Sequence, residues 1–259
     1  MHMAQSLLLA QPSAAAKEPE QGEEAYMRLY IRTAEEDSQM ETVSGIIEEL
    51  KSDDCDVRWH AARVLRWTKD ARAVDPLVRA LKDADCNVRW SAAESLVVMG
   101  EQAVEPLIAA LRDADRDVRW RAGWALGRLK GAAAVDSLIR ALGDADPDVR
   151  WRAAWALGQI GDAQAEWALI HALEDDDANV RWSAAEALGI IQDENAVGPL
   201  IKLLNNPDEE IMIRLVAADA LGKIGAPEAE AALQQVILRD EFAPIHETAR
   251  TALERIKKA

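Results

Sequence analysis

Asp146-Pro147-Asp148-Val149-Arg150-Trp151-Arg152-Ala153-Ala154-Trp155-Ala156-Leu157-Gly158-Gln159-Ile160-Gly161 is one copy of a motif that runs through most of the chain. Advance it as a helix at about 100° per residue from Val149, and Ile160, Ala153, Leu157 and Ala156 fall within one apolar stripe. Trp151 and Trp155 land at about 200° and 240°, almost opposite that stripe. The Val-Arg-Trp core recurs at Val57-Arg58-Trp59, Val88-Arg89-Trp90, Val118-Arg119-Trp120 and Val180-Arg181-Trp182, with Trp-to-Trp spacings of 31, 30, 31 and 31. Ile213-Arg214-Leu215 and Ile245-His246-Glu247 are degenerate copies, 33 and 32 residues further on.

A second apolar run follows each copy, as in Ala73-Val74-Asp75-Pro76-Leu77-Val78-Arg79-Ala80-Leu81. Val74, Leu77, Val78 and Leu81 share one helix face. Pro76, Pro106 and Pro199 fall in the first turn, where a missing N–H is tolerated. Gly100, Gly131, Gly161 and Gly225 stand where the first helix ends, as left-handed caps. Connector aspartates such as Asp83-Ala84-Asp85 and Asp144-Ala145-Asp146 precede the next helix as N-caps. A helix pair of 31 residues cannot bury its apolar face alone, so the pairs stack into an all-α solenoid of six to seven repeats.

The pattern Asp-x-Asp-x-x-Val-Arg-x-x-Ala-Ala-x-Ala-Leu-Gly-x-Ile-Gly, followed by Ala-Val-x-Pro-Leu-Ile, resembles the HEAT-like repeat first defined in phycobilisome lyases. The match runs over roughly residues 45–259. The resemblance implies a right-handed array whose first helices line a concave groove. For activity it is broad, since the family spans lyases, hydroxylases and binding scaffolds.

On that groove the sequence places an aromatic ladder, Trp59, Trp90, Trp120, Trp151 and Trp182, widened by Trp67, Trp124 and Trp155. Arg63, Arg121, Arg128 and Arg152 interleave with it, as do His60, Glu94 and Glu186. Contiguous exposed aromatic surface marks binding sites. The competing reading has each indole lying over Ala or Gly of the next helix and sealing the seam. Arg stacks on indole and holds carboxylates in bidentate fashion, so the groove suits an anionic, partly apolar ligand. An acidic peptide fits, and so does a tetrapyrrole bearing propionates. The chain's own Glu18–Glu24 segment is a further competitor, and unchanged partner affinity after deletion of residues 1–24 removes it.

The chain has 259 residues and is 49% hydrophobic, with nine Trp against one Phe. Its formal charge is −16, half of it in residues 1–54. Such acidity argues against a nucleic-acid or anionic-membrane partner. No apolar stretch is long enough to span a bilayer, and the N-terminus lacks the basic start of a secretory signal, so a cytoplasmic setting is expected. Residues 1–24 read as a disordered acidic tail and 25–51 as capping helices, with Tyr26, Tyr30, Ile31, Ile46, Ile47 and Leu50 as anchors. Residues 52–204 read as five regular repeats and 205–259 as degenerate closing repeats, after an insertion around Asn205-Asn206-Pro207.

Other features read as structural. Cys55 and Cys86 lie too far apart for a disulfide, and His246-Glu247 is one pair where di-iron HEAT-repeat hydroxylases need several. The arginine preceding each tryptophan reads as a partner for connector aspartates, and Trp167 as a packing residue off the ladder. No phosphate loop, nucleophile elbow or metal-ligand cluster is present, and no cofactor is expected. The reading is therefore a non-catalytic interaction scaffold binding a protein segment in a Trp/Arg groove. The alternative is a bilin lyase or bilin-handling subunit.

Overall fold

The computed structural model describes residues 39–239 and 243–258, with side chains over 43–238 and 243–258. The acidic tail, Tyr26, Tyr30 and Ile31 lie outside these residues. The helices are α1 (Gln39–Glu49), α2 (Cys55–Thr68), α3 (Val74–Ala80), α4 (Cys86–Met99), α5 (Val104–Ala110), α6 (Arg116–Leu129) and α7 (Val135–Ala141), followed by α8 (Pro147–Ile160), α9 (Glu166–Ala172), α10 (Ala178–Ile191), α11 (Val197–Asn205), α12 (Ile211–Ile224), α13 (Glu230–Arg239) and α14 (Ala243–Ile256). No strand occurs among the described residues. The even-numbered helices stack side by side as one layer, and each odd-numbered helix from α3 onward packs on the long helix that follows it. The result is an α-solenoid. No helix of the described residues is long and apolar enough to cross a membrane.

The core is the predicted stripe repeated. Val149, Ala153, Ala156 and Leu157 are buried, as are Leu126 and Leu188 at the same register and Leu77, Leu107, Leu138 and Leu169 of the short layer. Fully burying each leucine contributes about 1.5–3 kcal/mol relative to leaving it exposed.

The two aspartates of each connector have separate jobs. Asp54, Asp85, Asp115, Asp146 and Asp177 cap α2, α4, α6, α8 and α10, accepting the amide two residues on; such caps contribute ~1 kcal/mol each. The earlier aspartate receives the arginine of the preceding repeat. Arg150 Nε and Nη2 reach Asp175 at 2.8 Å each, while its Nη1 donates to the carbonyl of Asp144 at 3.0 Å. Arg58–Asp83 and Arg119–Asp144 are equivalent, at 2.7 and 2.9 Å for the two bonds of each fork. Arg181 takes Glu209 instead, at 2.9 and 2.7 Å, because the insertion moves the aspartate register.

Close approach of the long helices is set by glycine. A Cβ on Gly158 would stand 2.8 Å from Ala187 Cα, and one on Gly222 would stand 2.6 Å from Ala252 Cα. Gly127 and Gly189 do the same in α6 and α10. In α4 this position is Val97, and the α4–α6 seam is the loosest between successive long helices.

Two of the expected caps are corrected. Gly161 and Gly225 are left-handed, but Gly131 has φ −71° and Lys130 takes the left-handed place at φ 52°. The glycine signal is displaced by one residue there, because Lys130 tolerates the conformation. Gly100 adopts φ 73°, ψ −137°, a region open essentially to glycine alone. The reason is the 30-residue spacing from Trp90 to Trp120: the turn has lost one residue, and Gly100 ends α4 while also opening the next 3-10 turn. The deletion also shifts the acceptor for Arg89, whose nearest carboxylate is Asp117 at 3.7 Å and whose Nε is buried without a partner.

Candidate functional site

Counted from the valine of each Val-Arg-Trp motif, the third and seventh residues share one face of the long helix, and in α2 Trp67 extends that face from the eleventh position. Trp59, Trp67, Trp90, Trp120, Trp124, Trp151, Trp155 and Trp182 are all half-buried. Trp120, Trp124, Trp151, Trp155 and Trp182 pack against the buried core on one side. Trp90 and Trp124 meet at 4.5 Å between ring centroids, tilted by 48°, and so fill the loose α4–α6 seam. Trp120 and Trp151 meet edge to face at 6.3 Å. Trp155 lies against the bare backbone of Gly127, where a Cβ would come within 2.6 Å of its ring. The tryptophans therefore form two paired clusters over α4, α6 and α8. Among the described residues Trp59, Trp67 and Trp182 make no ring–ring contact.

The indoles seal seams and also keep an open edge. Trp90 Nε1 donates to Glu94 at 3.1 Å and Trp151 Nε1 to Asp148 at 3.2 Å. Those of Trp120, Trp124, Trp155 and Trp182 find no acceptor among the described residues, and none is sealed from solvent.

Guanidinium groups lie over most of these rings: Arg63 over Trp59 at 5.1 Å, Arg121 over Trp120 at 5.8 Å and Arg128 over Trp124 at 5.9 Å. Arg152 is enclosed most, 4.3 Å from the Trp120 centroid, 4.0 Å from Trp151 and 4.9 Å from Trp155. Only 6% of it is exposed. Burial pulls its pKa down to about 9 against the opposing pull of Asp148, so it remains charged at neutral pH. Its Nε is buried without a hydrogen-bond partner. Burial also lowers Arg121, which is tied to Asp117 through the backbone carbonyl at 3.0 Å and the carboxylate at 3.4 Å.

Glu94 and Glu186 flank this basic centre. Burial raises Glu186, with Lys223 opposing and Asp219 reinforcing the shift. Arg66 belongs to the same face, over Trp67 at 5.2 Å and 3.9 Å from Glu94. Sequence reading passed over it because Arg66 stands at the register where later repeats have glycine. Asp117 and Asp148, one turn before Arg121 and Arg152, were likewise passed over. Trp167, expected to pack, is 70% exposed on α9. Its helix has only seven residues and its outer face meets no further layer. Cys55 and Cys86 are free and exposed. Asp54, Cys55 and Asp56 lie close enough to share a metal ion, but all are exposed and Asp54 is occupied as an N-cap.

The HEAT-repeat pattern matches residues 43–104, 104–176 and 166–254, and the chain belongs to the HEAT-repeat family. Among curated protein sequences, none matches the chain. Among solved structures it is similar to YibA of Escherichia coli, with 20% identity, TM-score 0.60, 92% of this chain and 87% of that one. Human deoxyhypusine hydroxylase is 26% identical with TM-score 0.45, covering 94% and 92%. The CpcE–CpcF complex of phycocyanin lyase from Nostoc sp. PCC7120 gives 25%, 0.47, 82% and 92%. The likeness to YibA bears on the fold alone.

Proposed function

We propose that this chain is a non-catalytic interaction scaffold that binds an extended segment of a partner protein along the Trp/Arg face of its long helices. Residues 52–204 carry the groove, residues 205–259 close the array, and the working compartment is the cytoplasm. What supports this reading is the state of the indoles. Their faces are held by the core and by neighbouring rings, while the N–H edges of Trp120, Trp124, Trp155 and Trp182 remain without an acceptor among the described residues. A rigid aromatic surface with free donors gives a peptide backbone apolar area and hydrogen bonds at little entropic penalty.

The test is selection of peptides from a random display library on the wild-type chain, followed by binding of the enriched peptides to Trp120→Ala/Trp151→Ala. At least a tenfold loss in the variant is expected. Failure to enrich peptides, or equal binding to the variant, overturns the reading. Bilin handling is the competing outcome, and a visible absorbance shift on mixing protein with bilin would put a tetrapyrrole in the groove.

A further inference from the structure

Arg152 is the most deeply buried arginine among the described residues, and its surroundings are unusual. A buried guanidinium ordinarily sits in a carboxylate fork. Arg119 and Arg150 show that arrangement in the same two helices. Arg152 instead has three indole faces within 5 Å and no hydrogen bond to any described residue. Asp148, whose charge favours the protonated guanidinium, makes no hydrogen bond to it and is exposed. Cation–π contact offsets part of the desolvation but satisfies none of the five N–H donors. Nε is sealed, whereas the two terminal nitrogens are not among the sealed atoms and so retain contact with the groove.

We infer that the Arg152 guanidinium, gripped by Trp120, Trp151 and Trp155, is a docking point for a side-chain carboxylate of an acidic partner peptide. The inference rests on the groove reading and adds the chemistry of the occupant. The indoles fix the plane of the guanidinium and exclude water from its faces. Its two terminal nitrogens then present parallel N–H groups to a Glu or Asp, the bidentate geometry that carboxylates prefer. Charge complementarity favours the same occupant, because Arg128 adds positive charge in the preceding helix, where Arg121 is shared with Asp117, while Glu94 and Glu186 stand further out in α4 and α10.

The test uses the full chain and two probes, acetyl-Glu-Glu-Leu-Glu-Glu-Leu-Glu-Glu-amide and its counterpart with every Glu replaced by Gln. Binding is followed by tryptophan fluorescence and by calorimetry, in the wild type and in Arg152→Met, which keeps the side-chain length without the charge. The expected result is at least tenfold tighter binding of the Glu peptide to the wild type. In Arg152→Met that preference collapses to below threefold, while the thermal midpoint does not fall. A side chain with only a packing role would move the midpoint and leave the Glu/Gln ratio alone. Equal binding of both probes to the wild type, no saturable binding of the Glu probe, or a retained preference in Arg152→Met overturns the inference. If display-selected peptides still depend on Trp120 and Trp151 in that case, the groove reading stands and only the carboxylate assignment fails.

Discussion

Two arginines two residues apart in α8 have opposite energetics. Arg150 bridges two connectors through a bidentate fork to Asp175 and a bond to the Asp144 carbonyl. Its side chain and that of Asp175 are 17% and 14% exposed. Removing one partner of such a pair leaves a desolvated charge, so Arg150→Met is expected to destabilise by about 3 kcal/mol, measured by urea denaturation. Arg152 has no such fork. Replacing a buried, unpaired charge with a hydrophobe of similar volume is neutral or stabilising, so Arg152→Met is expected to leave the midpoint unchanged or raised. In the sequence Arg150 reads as a partner of the connector aspartates and Arg152 as a member of the tryptophan face, with nothing there to rank the two. The pairing of Arg150 was legible from its recurrence beside the connector aspartates. The enclosure of Arg152 depends on Trp120 in the preceding repeat, a contact that no single-helix projection contains.

At the scale of elements, helix spacing follows from the residue after Ala-Leu. Glycine there lets α8 meet α10, and α12 meet α14, so closely that a Cβ on the glycine would stand 2.8 and 2.6 Å from the facing alanine Cα. Gly158→Val would drive a branched side chain into the Ala187 backbone, and a loss of more than 2 kcal/mol in thermal or urea unfolding is expected. The two-layer fold was readable because periodicity, prolines and caps all agreed at each copy. The seams were less readable, since the sequence marks where a helix ends but not how closely it meets its neighbour. Lys69, Lys130 and Gln192 show a second reason: with φ of 49°, 52° and 61° they hold left-handed caps that the glycine rule assigns elsewhere.

For the whole molecule, a solenoid is stable in proportion to its seams, and the weakest seam sets where it opens. Between α4 and α6, Val97 replaces the glycine, Arg89 lacks its fork and the turn is one residue short. Native-state hydrogen exchange should therefore show residues 39–99 opening as a unit before 147–256. Uniform protection across that seam would contradict this. Acid should unfold the array through its forks. Burial alone raises Asp83, Asp144 and Asp175, but hydrogen bonds from Arg58, Arg119 and Arg150 and from the next amides outweigh it and hold all three below the usual carboxylate range. Their stabilisation is complete above the unfolded value of about 3.9 and is lost as pH falls through the lower folded values. Stability in urea should accordingly drop below about pH 4, less steeply in Arg150→Met.

The groove itself is tested most directly by the indole N–H resonances of the nine tryptophans, recorded on 15N-Trp-labelled chain during titration with a display-selected peptide. Saturable shifts of Trp120, Trp124, Trp151 and Trp155, with Trp167 unmoved, are the result expected of a peptide lying along the long helices. Shifts confined to Trp167, or none at all with peptide bound, would place the partner elsewhere and contradict the account.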